Sequence, residues 1–275
     1  MGPELNGSVA VVTGAAHGLG FALGRELLGR GCRVVLADRD EDGLQVAGET
    51  LRRVHGDRVE WIAGDAADSH DIERTLALAD STFGPVDLYV ANAGVFQGFG
   101  LDATEQEWST SWEVNVQAHV RAARLLVPSW LQRGGGRFVS IASAAGLLTQ
   151  LGSPTYSVTK HAVVGFAEWL AVTYGDLGVS VTCVCPMGIA TAMIGDASES
   201  SDRQMRSAAA TITRAGEVMT PEEVARQAVD GVAHNQFLVL PHAEVADFRA
   251  RKAADIERWI SGMQRHRRVT DAEVD

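Results

Sequence analysis

Tyr156 and Lys160 stand four residues apart in the run Thr155-Tyr156-Ser157-Val158-Thr159-Lys160, and Ser143 lies thirteen residues before the tyrosine. If the run is helical, the two share a face and the ammonium approaches the phenol. A free tyrosine titrates near ~10 and is a poor base at neutral pH. A fixed positive charge beside it favours the phenolate and brings the pKa toward the range where proton transfer is efficient. Ser143 supplies a hydroxyl to hold a substrate oxygen. Taken alone, Tyr-x-x-x-Lys is ordinary helix decoration, because both residues are common in helices. Its weight comes from the rest of the chain.

Thr13-Gly14-Ala15-Ala16-His17-Gly18-Leu19-Gly20 directly follows an apolar strand pattern and opens a helical one. Gly14 allows a tight turn, Gly18 lets backbone approach a pyrophosphate, and Gly20 permits close helix-to-strand packing. The unpaired amides of the helix N-terminus then face the phosphates. Asp38 closes the second strand eighteen residues after Gly20, the spacing of an acidic residue on an adenosine ribose. Its carboxylate accepts from ribose hydroxyls and repels a 2′-phosphate, by up to ~4 kcal/mol per charge pair at ~4 Å and an effective dielectric of ~20. Arg39 is the counterargument, since a guanidinium holds a phosphate, and His17 is a weaker one. Because the carboxylate occupies the ribose position itself, the pattern favours NAD over NADP.

Short β-branched runs alternate with longer amphipathic ones. Strands are expected at Val9–Val12, Arg33–Ala37, Val59–Ile62, Leu88–Ala91, Phe138–Ile141, Val179–Val184 and Phe237–Leu240. Continuous apolar strands separated by helices imply a parallel sheet covered on both faces. The expected fold is α/β, a doubly wound parallel sheet (Rossmann fold) of about seven strands. Residues 1–242 read as one dinucleotide-binding and catalytic domain, and 243–275 as a C-terminal helical extension. Within the domain, about 193–218 is polar and lacks periodicity, which reads as a mobile lid or an irregular loop. It ends at Thr220-Pro221-Glu222-Glu223, an N-cap followed by a capping-box glutamate. In the tail, Val245, Phe248, Ile256, Trp259 and Met263 follow the spacing of one docked helix.

A net charge of −11 argues against nucleic acid as a partner. Hydrophobic content of 46% suits a globular core. Three cysteines are too few for a disulfide framework. Cys183 and Cys185 alternate in an apolar run as small packing residues facing one way, and no metal site is expected there. No apolar run approaches the ~18 residues that span a bilayer, and strand pattern begins by Val9, so a cytoplasmic protein without a signal peptide is expected.

Together these residues resemble the short-chain dehydrogenase/reductase family from about Gly7 to Leu240. The family's Thr-Gly-x-x-x-Gly-x-Gly stands as Thr13 to Gly20, and its Asn-Ala-Gly as Asn92-Ala93-Gly94. The family's active-site asparagine matches Asn115, twenty-eight residues before Ser143. The resemblance implies catalysis by Asn115, Ser143, Tyr156 and Lys160. Tyr156 would exchange a proton with the substrate oxygen that Ser143 orients. Lys160 would bind the nicotinamide ribose and lower the tyrosine pKa, and the Asn115 backbone would hold a water leading to solvent. The implied cofactor set is Thr13, Gly14, His17, Gly18, Leu19, Gly20, Asp38, Arg39, Asp65, Ala66, Asn92, Ala93, Gly94, Tyr156, Lys160, Pro186, Ile189 and Thr191. The family usually has Pro-Gly after the sixth strand, whereas Pro186 is followed here by Met187, which either lines the pocket or fills a core gap.

For the substrate, the resemblance points to Ser143, Ala145, Gln150, Tyr156 and Met187. Phe96, Phe99, Ala144, Leu147, Leu148, Leu151 and Met193 flank them, and Gln150 is the main polar exception. The expected partner is an apolar secondary alcohol or ketone. An NADPH-dependent carbonyl reductase and a non-catalytic redox sensor are the alternatives. Trp108 and Trp112, four apart on the helix leading to Asn115, fit a buried subunit contact in a homotetramer or homodimer.

Overall fold

The computed structural model describes residues 5–191, 195 and 199–274. Among them seven strands form one sheet: β1 (Val9–Thr13), β2 (Arg33–Asp38), β3 (Val59–Ala63), β4 (Leu88–Ala91), β5 (Gly136–Ile141), β6 (Val179–Val184) and β7 (Leu238–Val239). All pairings are parallel, in the order β3-β2-β1-β4-β5-β6-β7. The expected strands are all present. β5 begins at Gly136, before the apolar run that announces it, and β7 is only two residues long. Val9 to Val12 are all buried, because a central parallel strand is covered on both faces. One apolar cluster gathers Val12, Leu23, Leu36 and Val229 on one face, and another gathers Val11, Trp130, Phe138 and Leu170 on the other.

The helices among the described residues are α1 (Gly18–Gly29), α2 (Glu41–His55), α3 (Ser69–Phe83), α4 (Glu105–Trp112), α5 (Ala118–Arg133), α6 (Pro154–Tyr174), α7 (Arg203–Ala215), α8 (Pro221–Ala233), α9 (Glu244–Ala254) and α10 (Ile256–Val274). β1 lies between β2 and β4, so the winding reverses there and opens a crevice beyond the strand ends. Asp87 pins that junction from below, accepting from Val9 N at 3.0 Å. At its upper end Asn92 N and Ala93 N both donate to Thr13 Oγ1, at 3.1 and 3.2 Å.

Two expectations change. The segment about 193–218 is not wholly irregular, because α7 occupies Arg203–Ala215. Asp202 caps it by accepting from Gln204 N and Met205 N. Its small buried residues Ala208 and Ala209 face inward, a stripe too short in bulky side chains to be legible as a core helix. Met193 lies outside the described residues. The single expected C-terminal helix is two, broken where Asp255 adopts an extended conformation and caps α10 through Arg258 N at 2.9 Å. The break folds α10 onto α7, and Ser207 Oγ donates to Asp271 Oδ1 at 2.8 Å. The capping box at Thr220 and Glu223 is as the sequence predicts.

The tail also reaches the loop after β5. Lys252 Nζ donates to Leu147 O at 2.9 Å and Leu148 O at 2.7 Å, closing the segment after β5. Ala144, Leu148, Val245, Phe248 and Trp259 pack together around it. Lys252→Met removes a charged donor from two carbonyls and is expected to cost about 1–3 kcal/mol. Denaturant unfolding of the variant measures it, and an unchanged midpoint would show that the tail does not hold this loop.

Candidate active site

β5 ends at Ile141, and Ser143 begins a single helical turn, Ala144–Gly146, by accepting from Ala145 N at 3.1 Å. Ser153 caps α6 and accepts from Tyr156 N at 3.3 Å, with Pro154 in the first turn. Those two caps set the orientation of the loop and the helix. They bring the Tyr156 phenol beside Ser143. Ser143 Oγ itself reaches Pro186 O at 3.4 Å.

Lys160 is 3% exposed, and its Nζ donates to Ile141 O at 3.0 Å. It sits 5.5 Å from the Tyr156 ring centre. Burial pushes the Lys160 pKa down to about 8. Burial is also the largest influence on the Tyr156 phenol and pushes its pKa up, while the hydrogen bond with Ser143 pulls it down. The net direction is therefore opposite to that expected from the Tyr-Lys spacing alone. Spacing reports a neighbouring charge but not the desolvation that comes with it.

A cleft of about 420 Å³ runs from the glycine turn to these residues. Gly14, at φ +64°, and Gly18, at φ +53°, both adopt the left-handed conformation. A Cβ on Gly20 would lie 1.9 Å from Gly14 O, so helix and turn touch backbone to backbone. His17 is the residue before α1, yet its side chain caps none of the helix amides. It turns instead to Asp40, with Nε2 2.7 Å from Oδ2. The first-turn amides of α1 thus keep their donors for a ligand, and this cradle fits a pyrophosphate. Asp38 accepts from Ala16 N at 2.9 Å and from Asp40 N at 3.0 Å, which holds its carboxylate at the rim. Arg39 beside it is exposed. Asn92 Nδ2 donates to Thr13 O and Gly14 O, at 2.9 and 3.1 Å, which fixes the turn against β4.

Of the residues singled out from the sequence, Gly14, His17, Gly18, Leu19, Gly20, Asp38, Arg39, Asp65, Ala66, Asn92, Ala93 and Gly94 line the cleft. So do Ser143, Ala145, Gln150, Tyr156, Lys160, Pro186, Met187, Ile189 and Thr191. Thr13 and Asn115 do not. Thr13 is buried behind the wall as the tie between β1 and β4. Asn115 is fully buried; it accepts from Val95 N at 2.8 Å and donates to Val95 O at 3.0 Å and Thr159 Oγ1 at 3.1 Å. It lies in a widened turn, Glu113–Gln117, of π-helical form between α4 and α5, a feature that sequence periodicity does not announce.

Met187 does both of the things expected of it, lining the cleft and packing against the Leu148 cluster. Phe99, Leu147, Leu148 and Leu151 do not line the cleft, whereas Phe96 does and meets the Tyr156 ring edge-on at 5.0 Å. Gly64, Val95, Val114, Ile141, Ala142 and Ile212 line the cleft without having been singled out. They are apolar or small residues at strand and helix ends, and only tertiary packing distinguishes them from core. His242 is also new: buried, it accepts from Met187 N and contacts Gly188 O, each at 3.1 Å. Another is His119, fully buried against Ser140 Oγ at 2.7 Å, with its pKa pushed down to about 3 chiefly by burial. Cys183 and Cys185 are both buried, with their sulfurs 3.8 Å apart.

Residues 8–202 match the family model described as short chain dehydrogenase, and the chain belongs to that family of oxidoreductases. It is 30% identical to a 3beta-hydroxysteroid dehydrogenase 2 of Eggerthella lenta over 82% of this chain and 88% of that one. It is likewise 30% identical to the 3-oxoacyl-(acyl-carrier-protein) reductase FabG of Vibrio cholerae, over 81% and 88% of the two chains. Among solved structures, a short chain dehydrogenase/reductase from Burkholderia phymatum in complex with NAD superposes with a TM-score of 0.84. It is 28% identical and covers 93% of this chain and 96% of its own. The L-sorbose reductase of Gluconobacter frateurii, complexed with NADPH and L-sorbose, gives 0.77 at 28% identity, over 87% and 97%. Relatives of this fold thus bind either nucleotide. No described helix is long and apolar enough to cross a membrane.

Proposed function

We propose that the protein transfers hydride between NAD and the CH–OH or C=O carbon of an apolar secondary alcohol or ketone, with Tyr156 as the general acid and base. The observation that carries this reading is the contact of Tyr156 with Ser143 above a buried Lys160, in the same cleft into which the uncapped N-terminus of α1 opens. The nicotinamide, when bound, accepts or supplies the hydride. Every other part of the reaction falls to the chain. The α1 amides with Gly14 and Gly18 hold the pyrophosphate, Asp38 the ribose hydroxyls, and Asp65 with Ala66 the adenine edge. Asn92, Ala93 and Gly94 form the floor, and Pro186, Ile189 and Thr191 meet the carboxamide end.

In alcohol oxidation Ser143 holds the substrate oxygen and Tyr156 takes its proton as hydride leaves the carbinol carbon. In ketone reduction Tyr156 returns that proton to the carbonyl oxygen. Lys160 supplies the positive charge that stabilises the phenolate. Asn115 acts at one remove, holding the Val95 loop and α6 through Thr159. Phe96, Met187 and Ile212 offer the substrate an apolar surface. Asp38 sets a carboxylate at the rim of the cleft, where it would repel a 2′-phosphate, which supports NAD. The competing NADPH reading draws on the exposed Arg39 at the same rim. Exposed Trp112 and Trp169, at 40% and 53%, support a homotetramer or homodimer, and a cytoplasmic location goes with this chemistry.

Tyr156→Phe is expected to lower turnover at least about 100-fold while the calorimetric Kd for NAD stays within a few-fold; undiminished turnover sinks the mechanism. Initial rates with the two nucleotides test the cofactor: NAD is preferred in the native protein, and Asp38→Ala narrows the preference. A native preference for NADP would instead favour the carbonyl reductase.

The pH profile follows from the two shifted groups. Oxidation needs the tyrosine deprotonated and the lysine protonated, yet the phenol is raised and Lys160 lowered to about 8. The required form therefore grows almost tenfold per pH unit up to about 8. It then levels, because proton loss from either group gives species of equal charge. kcat/KM for alcohol oxidation should rise from about pH 6 and flatten near 8, and a rate independent of pH over that range would contradict the assignment.

A further inference from the structure

Gln150 is the polar side chain of an otherwise apolar end of the cleft. Its backbone is held to α6, with Gln150 N donating to Ser157 Oγ at 2.7 Å and Ser157 Oγ returning to Gln150 O at 3.2 Å. Its side-chain nitrogen donates to Leu151 O at 3.0 Å and to Ala208 O, in α7, at 3.3 Å. Both partners are carbonyl oxygens, which only accept. The amide orientation is therefore determined by chemistry: a flipped Gln150 would set its oxygen against two others. Both N–H bonds are used, and Oε1 is the atom left over. Among the described residues no group donates to it, and it is not among their buried polar atoms that lack a partner, in a residue that lines the cleft.

We propose that Gln150 Oε1 is the acceptor for a second, non-reacting hydroxyl of the substrate, so that the preferred substrate is a hydroxylated ketone or diol rather than a simple apolar one. The inference rests on the reading of the cleft as a site of hydride transfer to a ketone, and refines its substrate. Phe96, Met187 and Ile212 take the apolar body. A fixed carbonyl oxygen has only lone pairs to offer. It rewards a hydroxyl, gives nothing to an ether of the same shape, and repels a carboxylate or phosphate. Sites that hold one polar atom in a single orientation discriminate strongly between a donor and its masked analogue.

The test uses acetophenones bearing a hydroxyl or a methoxyl at the meta or para ring position, since the methoxyl keeps an oxygen but cannot donate. For the native protein, kcat/KM is expected to favour the hydroxyl over the methoxyl about tenfold at one of these positions. In Gln150→Met, which keeps the length and loses the acceptor, that ratio should fall to about one. The same ratio is read as calorimetric Kd with NAD present, which separates the two readings. Selective binding without turnover would contradict hydride transfer to these ketones but support Gln150 as the acceptor. Equal affinity for hydroxyl and methoxyl at both positions, no binding of any of them, or a preference that survives in Gln150→Met would overturn the inference. The native comparison stands even if the variant fails to fold.

Discussion

An ammonium buried to 3% exposure is the constraint around which the rest of this molecule is arranged. Taking a lysine out of water is expensive unless its protons find acceptors, and Lys160 has Ile141 O at 3.0 Å among the described residues. To reach it, α6 must lie hard against the end of β5. The contact is so close that a Cβ on Gly146 would fall 2.4 Å from Lys160 O. One turn earlier on the same helix, Tyr156 is carried into contact with Ser143. The depressed lysine pKa and the raised phenol pKa share one origin, which is the dryness of this junction.

Everything adjacent stabilises that placement. Asn115, Thr159 and the Val95 backbone form a closed hydrogen-bonded set beside the lysine. On the opposite side the loop bearing Ser143 is held by Lys252 from the tail, and the loop after β6 by His242. The C-terminal helices are thus more than a trailing extension. Lys252 supplies a donor to carbonyls that the sheet alone leaves open, and α10 packs on α7, whose Ile212 lines the cleft. The same economy appears at the nucleotide end. His17 leaves the α1 amides uncapped while binding Asp40, and Asn92 holds the turn that those amides depend on.

Much of this was legible beforehand because it is local. A parallel strand covered on two faces must be apolar throughout, so Val9–Thr13 and Val179–Val184 announce themselves. A left-handed turn that meets a helix backbone to backbone must be glycine, so Gly14, Gly18 and Gly20 mark it. What was not legible is non-local or depends on subtle backbone geometry. α7 buries little but alanine, the widened turn at Asn115 has no period of its own, and Asp255 breaks a continuous apolar stripe with one residue.

The sheet, the glycine cradle and the set of groups able to move a proton follow from residue type and spacing along one strand, turn or helix. How those groups behave follows from the packed fold. Burial set the direction of the Tyr156 and Lys160 shifts, and contacts between distant segments moved Thr13 and Asn115 from the cleft wall to the scaffold behind it. The orientation of Gln150 likewise depends on Ala208, fifty-eight residues away. Solvation and long-range hydrogen bonding are properties of a residue's surroundings, and those surroundings exist only once the chain has folded.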